Sequence, residues 1–448
     1  MKIAKHFFVA IYFFIFSISA GLEPASAQNR RVTVEGTLEK IVVEDNPSRY
    51  EYVLATDEGR RYLLSASKSP ADYANRRVIV SGTLEGDRLL VPAGEQIKAM
   101  DEDRRPVNAP PAPTFGSRKV LALLVNFQDI QTQPITTERA REVIFTAADS
   151  ANQFVREASL NRYRLTGIQR ADGDVAGWLT LPFTSQNCNR LTDWVDGADA
   201  LARQNGYEPN NYNSVIYVFS TLCGDSPRAT LGNVGDATTR QRIWITPGTL
   251  QNFHTLNHEL GHNLGLDHAN SMRCSGTNIP DDCIQTEYGD SYDMMGTLPF
   301  FFNNYYRLSL GWLTGRVQDV ETSGDYSLFS PNIASKGNQA LRIPLRNAAD
   351  ELTPFSYFLE FRRAYSYDNQ IRAPNFQPLY KGVGIRYVFS EPLGFTSQII
   401  DTMPNTITTA DAPLTAGNTF VDTKHGVIIS VLSTNPLLGA RVRIQLNR

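Results

Sequence analysis

His258-Glu-Leu-Gly-His-Asn-Leu-Gly-Leu-Asp-His268 is the stretch on which the reading of this 448-residue chain turns. His258 and His262 stand four apart, so on a helix their imidazoles leave one face, a turn from each other. That spacing lets two ring nitrogens reach a single ion at about 2.1 Å. Glu259 stands beside them, where a carboxylate takes a proton from metal-activated water. Gly265 is expected to end the helix in a left-handed conformation that a side chain would oppose. The chain then turns, and His268 swings back as a third ligand. Three nitrogens leave one tetrahedral position open to water, the arrangement of a catalytic zinc rather than a structural one. The bland alternative is three histidines on a polar helix. The composition speaks against it, since only six histidines occur and four lie between His254 and His268. His254 shares the face of His258 one turn earlier; with His268 completing the set, it is read as a supporting or packing residue.

Downstream, Glu287-Tyr-Gly-Asp-Ser-Tyr-Asp-Met-Met-Gly296 brings two methionines and a glycine to a turn-rich stretch. With this segment behind the long histidine motif, the chain resembles the metzincin zinc peptidases, and among them the gametolysin-type family. The likeness is specific at the two motifs, moderate over about Lys119 to Leu313 and weak elsewhere. It implies a Met-turn in which Met295 makes an apolar floor beneath the metal, with Met294 as the alternative. It also implies that Ile243 to Ile245 is an edge strand that hydrogen-bonds substrate, although an ordinary sheet strand suits the same residues. Some relatives carry a Tyr directly after the Met-turn. Here Gly296-Thr297 follows, which leaves Tyr292 or Tyr305 to approach in three dimensions.

Around this centre the chain divides by composition. Residues 1–27 read as a secretory signal: Lys2, Lys5 and His6, an apolar run from Phe7 to Ala20 too short to span a bilayer, then Ala25-Ser26-Ala27. Residues 28–103 hold five short alternating runs separated by turn residues, which suggests a small β-barrel of OB type. A role as inhibitory pro-segment and a role as spacer are both open. No cysteine precedes Cys188, so this region offers no thiolate latch for the metal, and a carboxylate latch stays open. Residues 104–118, with Pro106, Pro110, Pro111 and Pro113, read as an extended linker and processing site. The catalytic domain is expected over 119–315, with Thr249 capping the motif helix. A C-terminal β-sandwich is expected over 316–448. The predicted fold class is therefore multidomain α+β: a metzincin-like catalytic domain of mixed sheet plus active-site helix, flanked by the OB-like barrel and the sandwich.

A net charge of −3 leaves no nucleic-acid footprint. Four cysteines in a secreted chain read as two disulfides, and of the three pairings Cys274–Cys283 with Cys188–Cys223 is favoured. Asp281, Asp282, Glu287, Asp290 and Asp293 make an acidic loop without EF-hand spacing, so calcium is unsupported and a solvated loop is expected. The expected cofactor is one catalytic Zn²⁺. The expected protein is a secreted, extracellular or periplasmic monomer with no membrane span after signal removal. It would be a metalloendopeptidase cutting extracellular or cell-wall proteins, with Glu259 as general base. Two competing readings are a binding protein with a vestigial site, and zinc-dependent hydrolysis of a non-peptide amide. The first would show loss of Glu259 or a histidine, and none is lost.

Overall fold

Val120-Leu-Ala-Leu-Leu-Val-Asn-Phe127 is apolar almost without alternation, the pattern of a strand covered on both faces. In the computed structural model it forms the body of a strand, Gly116–Phe127, whose residues from Val120 onward are buried. The structure describes residues 30–94, 97–100, 114–186, 191–222, 226–233, 239–313, 316–331, 337–372, 380–391, 394–406, 408–435 and 437–447. The expected signal (1–27), most of the expected linker (104–113), Cys188 and Cys223 lie outside these residues.

Twelve strands make the first sheet. In chain order they are β1 (Arg30–Val43), β2 (Arg49–Ala55), β3 (Arg61–Ala66), β4 (Arg77–Glu85), β5 (Arg88–Val91), β6 (Ile97–Ala99), β7 (Gly116–Phe127), β8 (Tyr163–Thr166), β9 (Asp174–Leu181), β10 (Ser214–Phe219), β11 (Arg228–Thr230) and β12 (Gln241–Ile245). The pairings β1–β2–β3–β5–β4–β1 close a ring around Leu38, Leu54, Leu64, Val78, Val80, Leu89 and Val91. Beyond the ring, β12, β10 and β7 run parallel, and β11 lies antiparallel on β12. The last three residues of β1 join the two parts, pairing Ile41 with Thr230, Val42 with Ala229 and Val43 with Arg228.

A second sheet contains β13 (Leu266–Cys274), β14 (Cys283–Thr286), β15 (Val317–Asp319), β17 (Ala340–Arg346), β18 (Leu352–Glu360), β19 (Gly382–Glu391), β20 (Gly394–Asp401) and β21 (Leu414–Thr415). A third holds β16 (Gly324–Leu328), β22 (Thr419–Asp422), β23 (Val427–Asn435) and β24 (Gly439–Leu446). Side chains of both sheets share one core, Leu341, Ile343 and Ile385 meeting Val427, Ile429 and Val442.

These sheets correct the expected class. Strands hold 42% of the residues and helices 18%, and the metzincin-like helix-plus-sheet catalytic arrangement is not shown. The reason is continuity of pairing. The N-terminal strands continue the sheet of the central segment through β1 and β11, and the C-terminal strands recruit β13 through its parallel pairing with β20. The edge assignment for Ile243 to Ile245 also fails, because β12 lies between β10 and β11. Among the described residues, no helix is long and apolar enough to cross a membrane.

Asp422 ties the second and third sheets together. Its carboxylate accepts from the Tyr357 hydroxyl (2.6 Å) and pairs with His425 Nδ1 (2.6 Å), and it meets the Ile279 N–H at 3.4 Å. Burial raises this carboxyl, but the His425 and Tyr357 hydrogen bonds outweigh that and hold it below the usual range. A depressed carboxylate stabilises the fold above its unfolded pKa, about 4, and that contribution is lost as pH falls through the folded value. Urea melts from about pH 6 down to about pH 3 should show the wild type losing stability more steeply than Asp422→Asn. Parallel curves would remove Asp422 as a source of acid sensitivity.

Candidate metal centre

The motif helix, Phe253–Asn263, is capped by Asn252, whose side chain accepts from the Thr255 N–H at 3.1 Å. This corrects the assignment of Thr249, which instead closes a capping box with Thr246 on the preceding short helix, Pro247–Gln251. Gly265 has φ 92° and donates to the His262 carbonyl (2.9 Å), so the left-handed exit is present. β13 follows at once. Its pairing with β20 slips between Leu266 and Ala269, a bulge that re-aims Asp267 and His268. The Tyr306 hydroxyl fixes this bulge, lying 2.8 Å from the Asp267 carbonyl and 3.0 Å from that of His268.

Helix and bulge together gather three buried imidazoles, with ring centroids 4.8 Å (His258–His262), 4.9 Å (His262–His268) and 5.3 Å (His258–His268) apart. Each Nδ1 is committed to an acceptor: the Met294 carbonyl at 2.9 Å for His258, the Leu266 carbonyl at 2.8 Å for His262, and Glu287 Oε1 at 2.9 Å for His268. An Nδ1–H that donates leaves Nε2 as a bare lone pair, the form that ligates a metal. The three Nε2 atoms converge on one point.

A fourth donor, unforeseen in the sequence, stands beside that point. Glu44 follows β1 directly, and its Oε1 lies 3.0 Å from His262 Nε2, 3.3 Å from His268 Nε2 and 3.7 Å from His258 Nε2. Ligands about 2.05 Å from one ion at tetrahedral angles stand about 3.3 Å from each other, so these separations are the edges of such a coordination shell. The donor set thus fits one zinc, as does its chemistry of three imidazoles and one carboxylate. Among the described residues this is the group of metal-ligating side chains that gathers within 4.8 Å. Tyr288, at φ 56°, donates its hydroxyl to Glu44 Oε2, and its ring centroid lies 4.1 Å from that of His268.

The electrostatics follow from this packing. Burial would raise Glu44, but the His258 charge and hydrogen bonds from all three imidazoles drive it far below the carboxylate range. Burial pulls His268 down, yet the hydrogen bonds with Glu287 and Glu44 push it up to about 9. Burial lowers His258 against the pull of Glu44. Glu259 is raised well above its ordinary value, first by burial and then by the charge of Glu44. Both Glu259 oxygens are buried without a protein hydrogen-bond partner. His254 is lowered to about 4 by burial and the neighbouring His258; its ring lies 5.6 Å from that of His258, outside the converging set.

Met295 and Met294 divide the expected roles. A Cβ on Gly261 would come within 2.2 Å of Met295 Sδ, so that sulfur lies against the helix between the two histidines. Met294 contributes its carbonyl to His258. Asp293 orders the turn by accepting from the Met295 N–H at 2.6 Å. The acidic stretch corrects the picture of a solvated loop: Asp290 and Asp293 are fully buried, and Asp290 is paired with Arg386 at 2.6 Å. Glu287 serves His268, Asp281 meets Lys424 at 2.8 Å, and Asp282 accepts from the Asn278 N–H at 3.0 Å. Cys274 and Cys283 form a disulfide that closes the β13–β14 hairpin. Of the two tyrosines expected near the metal, Tyr292 gives its hydroxyl to the Ala410 carbonyl, and Tyr305 packs edge-on against Phe358. The tyrosine at the site is Tyr288, which the quoted Tyr-Gly-Asp stretch already contained.

Comparison with known proteins adds little to this geometry. Residues 43–94 match a family model described as "Protein of unknown function (DUF5818)". No curated protein matches the chain. One solved structure, "Structure of a chaperone-substrate complex", is similar at a TM-score of 0.22 and 14% identity, over 57% of this chain. The chain spans only 40% of that structure's length.

Two substitutions test the support around the histidines. Glu287→Ala removes the acceptor on His268 Nδ1 and should weaken zinc binding by roughly 10–100-fold, measured by competition with a chromophoric chelator. Unchanged affinity would show that Glu287 does not orient the ring. Gly261→Ala should displace the Met295 sulfur and cost about 1–3 kcal/mol of stability; a urea midpoint equal to wild type would mean that the floor yields freely.

Proposed function

We propose that this protein is a secreted zinc-dependent endopeptidase acting on extracellular or cell-wall proteins. The observation that carries the reading is the set of three imidazoles with Nδ1 committed and Nε2 converging, beside a Glu259 carboxylate that no protein group satisfies. The likeness to metzincin peptidases of the gametolysin type supports it at His258, Glu259, His262, Gly265, His268, Met295 and Gly296. That likeness is one of motif and not of fold.

His258, His262 and His268 would hold the zinc through Nε2. The bound ion supplies Lewis acidity, lowering the pKa of water from 15.7 toward about 7 and polarising the scissile carbonyl. The remaining work falls to side chains of this chain. Glu259 takes a proton from the attacking water as its oxygen bonds to the carbonyl carbon, and its raised pKa suits it to hold that proton. The same carboxyl hands the proton to the leaving nitrogen as the C–N bond breaks, which returns Glu259 to its ionised form. The Tyr288 hydroxyl, placed to donate to an oxygen beside the histidines, stabilises the negative charge that develops on the former carbonyl oxygen. Met295 keeps the underside of the site apolar and dry.

The test is hydrolysis of a quenched-fluorescent peptide library by purified protein and by Glu259→Gln, each with and without a zinc chelator. Cleavage is expected that needs both metal and Glu259. The variant should retain zinc while losing activity by a factor of about 10² or more. Activity that survives the substitution would remove Glu259 as the base.

A further inference from the structure

Glu44 belongs to neither the motif nor the segment around it, and its position calls for an explanation of its own. The last residues of β1 lie extended and antiparallel along β11, and β11 borders the sheet that runs over the histidines. Main-chain bonds hold this stretch on both sides of the pairing, from the Leu231 N–H to the Lys40 carbonyl (2.8 Å) and from the Glu44 N–H to the Pro227 carbonyl (3.0 Å). An extended peptide added to a free sheet edge is held in just this way. Without β1, β11 would be that edge.

Side chains lock the stretch in place. Glu39 pairs with the buried Arg242 at 2.5 Å, and Lys40 with the buried Asp267 at 3.6 Å, one residue from the third ligand. Asn75 donates to the Leu231 carbonyl at 2.7 Å. The strand delivers Glu44 beside the convergence point of the three Nε2 atoms, where one carboxylate oxygen completes the tetrahedron and the other accepts from Tyr288. A carboxylate there holds the coordination position a catalytic site keeps for water.

We propose that residues 30–99 are an intramolecular inhibitor of the centre, with Ile41–Glu44 lying in the path of a peptide substrate and Glu44 as the displaceable fourth ligand. This rests on the zinc reading above. A tethered carboxylate competes at an effective concentration of about millimolar or more, so small metal-binding ligands meet a closed site. Release of the whole Ile41–Glu44 stretch exposes the metal position, the edge of β11 and the Tyr288 hydroxyl together.

The experiment uses the full chain loaded with cobalt(II), whose visible absorption reports the coordination shell, and acetohydroxamate as the probe. Wild type, Glu44→Gln and Glu44→Ala are titrated side by side; the glutamine preserves shape and the alanine removes the ligand outright. The wild-type spectrum should stay unmoved at concentrations that shift both variants, with an apparent affinity difference of roughly tenfold or more. A wild type that takes up acetohydroxamate as readily as the variants overturns the latch and leaves the metal centre standing. Variants as silent as the wild type overturn the role of Glu44. Absence of a cobalt spectrum in every form overturns the metal centre and the latch together.

Discussion

Three hydrogen bonds donated by Nδ1 atoms carry the centre. An imidazole rotates and changes tautomer at little cost, so converging Nε2 lone pairs exist only where each ring's other nitrogen is bound to a fixed acceptor. Here the acceptors come from three places: the Met294 carbonyl for His258, the carbonyl at the start of β13 for His262, and the Glu287 carboxylate for His268. Each depends on further structure. The turn at Met294 and Met295 is held by buried Asp293, β13 by its bulge against β20, and Glu287 by Ser48 of the N-terminal segment. All three parts of the chain therefore hold the same few ångströms in register.

The buried charges between the site and the C-terminal sheet serve this end. Arg386 of β19 is fully buried between Glu360 of β18 and Asp290 of the turn-rich segment. Glu360 in turn accepts from the Asn304 N–H at 2.8 Å. Such a network costs desolvation and contributes little net stability, but breaking one partner strands a charge in the interior. It defines where the segment from Asp290 to Met295 stands relative to β18 and β19.

How much of this was legible in the sequence follows from the range of each interaction. His258, Glu259, His262, Gly265 and His268 were readable because one helix turn and one left-handed exit fix them within eleven residues. The Cys274–Cys283 pairing was readable because the loop is short. Buried strands such as Val120–Phe127 declared themselves by unbroken apolar character. The class was misread because sheet continuity is set by partners far apart in the chain, β1 with β11 and β13 with β20, and no local pattern reports them. Glu44 was invisible for the same reason: it is an ordinary acidic residue before a turn, and only the register of β1 on β11 gives it meaning. Tyr288 stands inside the quoted Tyr-Gly-Asp stretch, but its approach to Glu44 depends on the fold of β1 and no local pattern reports it.

The pairing of β13 with β20 sets an order of events during synthesis. The motif helix emerges from the ribosome long before β20, so for that interval the nascent chain carries His258 and His262 without a supported His268. Two imidazoles on a lone helix make a weak, fluctuating metal site. The centre matures only when the C-terminal strands arrive and clamp the bulge. By then the N-terminal ring, made first, has long been available to receive it, so Glu44 and the three imidazoles come together in one late step.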